Sequence, residues 1–349
     1  MNDDVRPGQD RMFRWIAGLP DQLRESGRFR GLAEVAPLAS APAQILVCGM
    51  GGSAMAGSLL ADGWPGLAAP VLVHRDQGLP PWAGPATLVI ACSYSGNTAE
   101  TLAAVAEARR RGCPVAAVTS GGELLALARR AGLPVVEMPG GQPPRTALGA
   151  SLGAQLHLLC ALGLLPDPAT AITAACAQAA AGALVTLGQD ATPVGADAAR
   201  TLAAALLDRF TVIFTAGSEA HGAGRRLLAQ LAENAKAPAH VAAFPELNHN
   251  EIVGWDLPRS AAAGFALVTL RGGDEDPAQR DGVDVALDLL RDQFAVQHTV
   301  HAYGSGRLAR IVGLILFGDL VSAHLAVLAG KDPVPITRID TLKSRLAGR

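Results

Sequence analysis

The chain has 349 residues, half of them apolar and 17% charged, and its 29 basic and 31 acidic side chains leave a formal net charge of −2. Disorder requires low hydrophobicity with high net charge, so it is excluded, and the near balance gives no electrostatic footprint for nucleic acid or an anionic membrane surface. At roughly 100–200 residues per domain the length predicts two domains, 1–150 and 151–349. The five cysteines, Cys48, Cys92, Cys113, Cys160 and Cys176, are widely spaced with no CxxC pair. They read as small buried thiols of a reducing cytoplasmic compartment. The N-terminal MNDDVRPGQDRMF is acidic and polar, unlike a signal peptide. Residues 147–165 form an apolar run of 19 without a formal charge, long enough to span a bilayer. Gln155, His157 and its Ala/Gly content favour a buried helix between domains or subunits instead.

In chain order, residues 12–25 read as a short amphipathic helix. ILVCG (45–49) is a strand ending in glycines, followed by small residues that open a helix. VLVHR (71–75), TLVIACS (87–93), VAAVTS (115–120) and PVVEMP (134–139) are further strands. Residues 98–112 and 122–132 read as helices; the first ends in arginines and Gly112. After a Pro/Gly-rich loop at 139–146, an Ala-rich helical region runs to about 208 with a break near Asp190. Alternation then resumes: strands at 211–217, 264–272 and 296–304, helices at 218–236, 276–293 and 307–329, and a tail that is extended, then helical. Strands alternating with helices of this length predict an α/β fold with parallel sheets flanked by helices on both faces, repeated in the two halves.

Two βα turns carry chemistry. The first, Gly49-Met50-Gly51-Gly52-Ser53, lacks the Gly-Lys-Ser/Thr of a Walker loop, and the third glycine and following acidic residue of a dinucleotide fingerprint. The second reads SYSGNTAET from Ser93. Its hydroxyls, Ser93, Ser95 and Thr98, crowd the C-terminal end of a strand, where open parallel sheets bind ligands. Turn amides and a helix N-terminus favour an anion there. Helix capping accounts for one hydroxyl. Three, with Ser53 and the Gly52 amide, point to phosphate. The pair GMGGS and SxSGNTxET resembles the sugar-isomerase (SIS) domain, which binds phosphosugars through such a loop.

Three further segments narrow the chemistry: PPRT ending at Thr146, ENAK from Glu233, and ELNHNEIVGW from Glu246. Moving a proton between C1 and C2 of a sugar 6-phosphate needs a base, for which a carboxylate serves. A fixed cation must stabilise the enediolate oxygen. An acid–base group active near neutral pH must open the ring. Glu233, Arg145 and His249 supply these parts. Each also has an ordinary reading: a solvated helix carboxylate, a surface cation, a loop histidine. HNE lacks the HExxH spacing, so no metal site is assigned.

Taken together, GMGGS, SYSGNT, PPRTALG, ENAK and ELNHNEIVGW resemble the bifunctional phosphoglucose/phosphomannose isomerase family over essentially the whole chain. The resemblance implies two SIS domains and interconversion of glucose 6-phosphate or mannose 6-phosphate with fructose 6-phosphate, without metal or cofactor. It makes Glu233 the C1/C2 base, His249 the ring-opening residue and Arg145 the cation. Lys343, in TLKSRL, becomes a substrate-approaching lysine, with Lys331 as its alternative. Gly52, Ser53, Ser93, Ser95 and Thr98 become the phosphate set. It further implies a homodimer with His249 supplied by the other subunit. Thr146 and Thr337 are open candidates for pocket hydroxyls. The competing readings are an SIS isomerase for another sugar phosphate and a non-catalytic phosphosugar-binding protein. The latter usually carries a DNA-binding helix-turn-helix and a basic patch, and neither is visible in the sequence.

Overall fold

The computed structural model describes residues 6–64, 67, 69–257 and 262–347. The first residues of the polar N-terminal stretch and the last two of the tail therefore lie outside the described residues. The expected first helix is two, α1 (Arg6–Ala17) and α2 (Leu19–Glu25). They are broken at Gly18, where Pro20 fits the first turn of α2 but not the middle of one longer helix.

The first half then builds β1 (Gln44–Cys48), α3 (Gly52–Gly63), β2 (Val71–His74), β3 (Thr87–Ser93), α4 (Ala99–Arg110), β4 (Val115–Thr119), α5 (Gly122–Arg130) and β5 (Val135–Glu137). All five strands are parallel, in the order β2-β1-β3-β4-β5. Every residue of β3 is buried, as expected for a central parallel strand covered on both faces.

Two helices follow, the buried α6 (Leu148–Ala161) and the partly exposed α7 (Ala169–Ala180), which buries Ile172, Ala175 and Cys176. The second half adds β6 (Val185–Leu187), α8 (Ala196–Leu206), β7 (Phe210–Ala216), α9 (Ser218–Gln230), β8 (Ala239–Ala243), β9 (Phe265–Arg271), α10 (Pro277–Leu289), β10 (Val296–Ala302), α11 (Arg307–Leu328) and α12 (Thr337–Ala347). Its sheet runs β6-β10-β9-β7-β8, with only β6 antiparallel. The break expected near Asp190 thus holds a short strand, and β8 adds an edge that sequence patterning does not reveal. β6 has three residues and β8 is half-buried throughout, so neither shows a period.

Strand side chains alternate between faces. Leu46, Val89, Ala91 and Val115 face α4 and α5, whereas Ile45, Val47, Leu88 and Ile90 face the middle of the molecule. There α3, α6, α8, α9 and α11 form one apolar layer continuous with the inner face of the second sheet. The outer face of that sheet is closed by Val283 and Leu290 and by an aromatic cluster of Phe214, Phe244, Trp255, Phe265 and Phe294. α11 is long and apolar enough to cross a membrane, but it packs against α7, α8 and α9. Its one carboxylate, Asp319, is buried against Arg226. It is the central helix of the shared core.

Candidate functional site

The strand order of the first sheet reverses between β1 and β3, because the chain adds β2 on one side of β1 and then returns to the other. In open α/β sheets the crevice at the C-terminal ends of such strands is the ligand site. Both hydroxyl-bearing loops leave from these two strands. The Ser53 hydroxyl accepts the Tyr94 amide at 3.0 Å, tying the loops to each other. Ser93 Oγ lies 2.8 Å from Thr98 Oγ1 and accepts the Gly96 amide at 3.1 Å; Ser95 Oγ accepts from Asn97 at 3.2 Å. Gly96 has φ +72°, and a β-carbon there would lie 1.9 Å from the Gly121 carbonyl oxygen, so the turn admits only glycine. Ser93 is buried and braces the turn, while Ser95 is exposed and Thr98 half-exposed. Behind the loops only about 10 Å³ remains, space for about one water.

Arg145 stands beside these loops on a short 3-10 turn, Pro144–Thr146, leading into α6. A β-carbon on Gly52 would lie 3.1 Å from the Arg145 nitrogen and 3.2 Å from its Cα. Glycine at the start of α3 therefore lets the arginine turn press against the Gly52–Ser53 loop. The Arg145 side chain is 3% exposed. Its Nε donates to Asn234 Oδ1 at 2.9 Å, and Nη2 donates to the carbonyls of Pro333 and Val334, both at 2.8 Å. Nη1 faces Glu233 Oε2 at 3.6 Å. Burial lowers the guanidinium pKa, against the opposing pull of Glu233, but an arginine remains charged. Three of its donors are spent on fixing its position, and the remaining edge is turned to the carboxylate.

Glu233 and Asn234 owe their placement to a π-helical turn, Leu231–Ala235, that widens the end of α9. Such widened turns recur at functional sites. Asn234 is buried and donates to Ser322 of α11 at 3.0 Å, while Glu233 is a quarter exposed. Lys236 closes the turn at φ +59°. Its Nζ donates to the Glu233 carbonyl at 2.6 Å and to that of Pro333 at 3.4 Å. Burial, then the Arg145 charge, lower its pKa.

The other expected residues stand apart. His249 ends an exposed 3-10 turn, Glu246–His249, and Lys343 lies on the exposed α12. No hydrogen bond or ion pair joins either of them to the serine loops, Arg145 or Glu233 within the described residues. The His249 segment is nonetheless anchored. His240 of β8 lies 2.9 Å from Glu251, and Trp255 packs at 4.9 Å from Phe294 and 5.7 Å from Phe265. Thr146 Oγ1 donates to Pro143, closing its own turn, and Thr337 and Lys331 are exposed.

Sequence reasoning did not single out Arg226, Asn234, Lys236 or Asp319 as site residues. Asn234 and Lys236 lie inside the ENAK segment, and Asp319 was legible as a charge in an apolar helix; Arg226 carried no signal. The second sheet has its own switch point, between β7 and β9, but the chain fills it. Ser218 donates to Asp274, and Arg307 pairs with the same carboxylate at 3.3 Å. Buried Glu219 pairs with Arg310 at 2.5 Å and accepts the Gly273 amide at 2.9 Å. Carboxylates thus fill the crevice of the second sheet at the start of α9, whereas no carboxylate of the described residues pairs across the corresponding turn of the first. A cavity of about 400 Å³ alongside, lined by His221, Asn248, Asp276 and Gln279, offers no cation; burial lowers the pKa of His221, favouring its neutral form. Among the described residues no three His, Cys, Asp or Glu side chains converge as metal ligands would. Burial raises the thiol pKa values as well, that of Cys48 to about 12.

The site therefore pairs a rim of hydroxyls and turn amides with a carboxylate beside an immobilised cation. Comparison with known proteins bears on what such a site does. Residues 196–346 match the family model described as the bacterial phospho-glucose isomerase C-terminal SIS domain. A bifunctional phosphoglucose/phosphomannose isomerase from Caldicellulosiruptor bescii is 34% identical over 340 residues, covering 96% of this chain and 99% of the relative. One from Aquifex aeolicus is 33% identical over 305 residues, covering 86% and 90%. The solved C-terminal domain of glucosamine-fructose-6-phosphate aminotransferase from Francisella tularensis shares the fold, with a TM-score of 0.64 at 18% identity, covering 91% of this chain and 96% of that one.

Proposed function

The chain belongs to the family of bifunctional phosphoglucose/phosphomannose isomerases, and from that premise we propose that it interconverts glucose 6-phosphate and mannose 6-phosphate with fructose 6-phosphate. The observation that carries this reading is the Arg145–Glu233 pair, 3.6 Å apart, beside the loops of Ser53, Ser93, Ser95 and Thr98. A base must be ionised to take a proton, and a cation beside it must stabilise the oxygen where charge develops. The pair holds both, with the cation fixed in advance.

In the proposed reaction the sugar phosphate rests on the Gly52–Ser53 turn and on the Ser95 and Thr98 hydroxyls, with Ser93 bracing the rim. His249 transfers a proton between the ring oxygen and the C1 hydroxyl, opening the pyranose to the aldehyde. Glu233 removes the C2 proton. The electron pair forms the C1–C2 double bond, and the Arg145 Nη1 edge stabilises negative charge on the carbonyl oxygen. Return of the proton to C1, with transfer of the C2 hydroxyl proton to the C1 oxygen, leaves the ketose. The planar enediol retains no C2 stereochemistry, so the two aldose epimers reach one product.

The exposure of His249 supports a site completed by a second copy of the chain. Val253 and Leu257, in the same segment, and Leu342 and Leu346, beside Lys343, are large exposed apolar side chains that a homodimer would cover. In that dimer His249 of one protomer serves the Glu233 of its partner, and Lys343 approaches the substrate. We place the enzyme in the cytoplasm, in glycolytic and gluconeogenic sugar-phosphate exchange. The test is conversion of each aldose 6-phosphate to fructose 6-phosphate by purified protein with EDTA present. Turnover of both supports a metal-independent isomerase of dual specificity. Binding without turnover of either supports a phosphosugar-binding protein and overturns the proposal.

A further inference from the structure

Arg226 on α9 and Asp319 on α11 form a fully buried ion pair. Arg226 Nε donates to Oδ1 at 2.8 Å and Nη2 to Oδ2 at 2.6 Å, with both residues 3% exposed or less. As a device for stability it is poorly chosen. Desolvating two charges offsets most of their attraction, and apolar side chains of similar volume serve as well or better. Apart from Asp319 and Ser322 the buried residues of α11 are Leu, Ile, Val, Ala, Phe and Gly, and buried Gln230 of α9 is a further polar neighbour of Asp319.

What the pair does besides neutralise itself is donate once more. Arg226 Nη2 lies 2.9 Å from the main-chain oxygen of Arg145. A second link leaves the same stretch of α11: Ser322 Oγ donates to the Asp319 carbonyl at 2.7 Å and accepts from Asn234, whose Oδ1 in turn holds Arg145 Nε. One link fixes the backbone of Arg145 and the other its guanidinium. Both originate in the second half of the chain, whereas Arg145 lies in the turn that presses on the phosphate loop of the first.

We propose that Arg226, held by Asp319, is a positioning residue that sets Arg145 against Glu233. The inference rests on the isomerase reading for its kinetic consequence, and its structural content stands apart from that reading. A positioning residue acts on the rate through the group it places, and a displacement of about 1 Å costs roughly 100-fold.

The decisive variant replaces the pair, Arg226→Met with Asp319→Leu, which removes the charges together and keeps the volume. It is expected to melt close to the wild type, to lose roughly 10- to 100-fold in kcat, and to change KM for glucose 6-phosphate little. Arg226→Lys, which keeps a charge but loses the fork, is expected to lose kcat in the same direction. In an Arg145→Ala background the paired replacement is expected to cost no further rate, because its effect passes through Arg145. Native kcat in the folded double variant, or a full additional loss in the Arg145→Ala background, overturns the proposal. A second readout is independent of turnover. In a crystal structure of the double variant the Arg145 main chain, released from the Arg226 fork, is expected to move by about 1 Å and to lengthen the 3.6 Å separation of Arg145 from Glu233. An unmoved Arg145 turn refutes the positioning role even if the wild type isomerises neither sugar, an outcome that refutes the functional reading alone.

Discussion

Replacing Glu233 by Gln keeps the shape of the side chain and removes its ability to take a proton. Its structural cost follows from its contacts. Glu233 is a quarter exposed and its carboxylate makes one ion pair, at 3.6 Å to Arg145. Partly exposed pairs of this kind contribute about 0–1 kcal/mol. Arg145 keeps its bonds to Asn234, Pro333 and Val334, so its buried charge remains hydrogen-bonded. The expected fall in melting temperature is about 2–4 °C at most. The catalytic cost is larger, since a positioned general base contributes roughly 10²–10⁴-fold, or about 2.7–5.4 kcal/mol of barrier. The assay is fructose 6-phosphate formation from each aldose 6-phosphate, with solvent deuterium incorporation at C1 of the ketose as the measure of proton transfer through the base. Glu233→Gln is expected to lose both together and to retain sugar-phosphate binding. A folded variant that keeps more than about a tenth of the wild-type rate, well outside the range for a lost general base, refutes the assignment.

Thr98→Val removes one hydroxyl from the phosphate rim at constant shape. A hydrogen bond to a charged group contributes about 1.5–3 kcal/mol, so KM should rise roughly tenfold or more with kcat less affected; an unchanged KM removes Thr98 from the phosphate set. Co-expressing His249→Ala with Glu233→Gln tests the shared site, because a hybrid dimer contains one site with both residues intact if they come from different protomers. Recovery of activity is expected, and two inactive partners that stay inactive when mixed would place His249 and Glu233 in the same chain's site. Stability should depend on pH through the partly buried histidines. Burial holds His157, His221, His298, His301 and His324 below their ordinary value of 6.5. The unfolded chain then binds more protons between the depressed folded values and 6.5. This stabilisation is present above about pH 6.5 and is lost as the pH falls through the folded values. Thermal melts should show a plateau above that pH and a decline toward about pH 5; a melting temperature that does not move over this interval contradicts the shifts.

Much of the architecture was readable before any coordinate. ILVCG, TLVIACS and VAAVTS are uninterrupted apolar runs, and a parallel sheet covered on both sides requires such runs. The glycines and hydroxyls that follow β1 and β3 marked the crevice, because a turn that approaches an anion needs small residues and donors. β6 and β8 escaped because three residues, or five half-buried ones, carry no period. The first helix was read as one because the amphipathic pattern runs through Gly18, while the backbone does not.

The sequence by itself supplied the residues of the proposed chemistry: Glu233, Arg145, His249 and the hydroxyl loops all lie in short local motifs. It could not determine how Arg145 is held. That cation depends on carbonyls of Pro333 and Val334, 188 and 189 positions away, and every residue except proline presents the same main-chain groups and proline the same carbonyl. Nor could it show that Arg226 and Asp319 meet across 93 positions, or that the matching crevice of the second sheet is closed by Asp274 and Glu219. Local motifs record which groups a turn carries. Which distant backbone fixes them, and which of two like crevices stays open, is decided only when the two halves pack on one core.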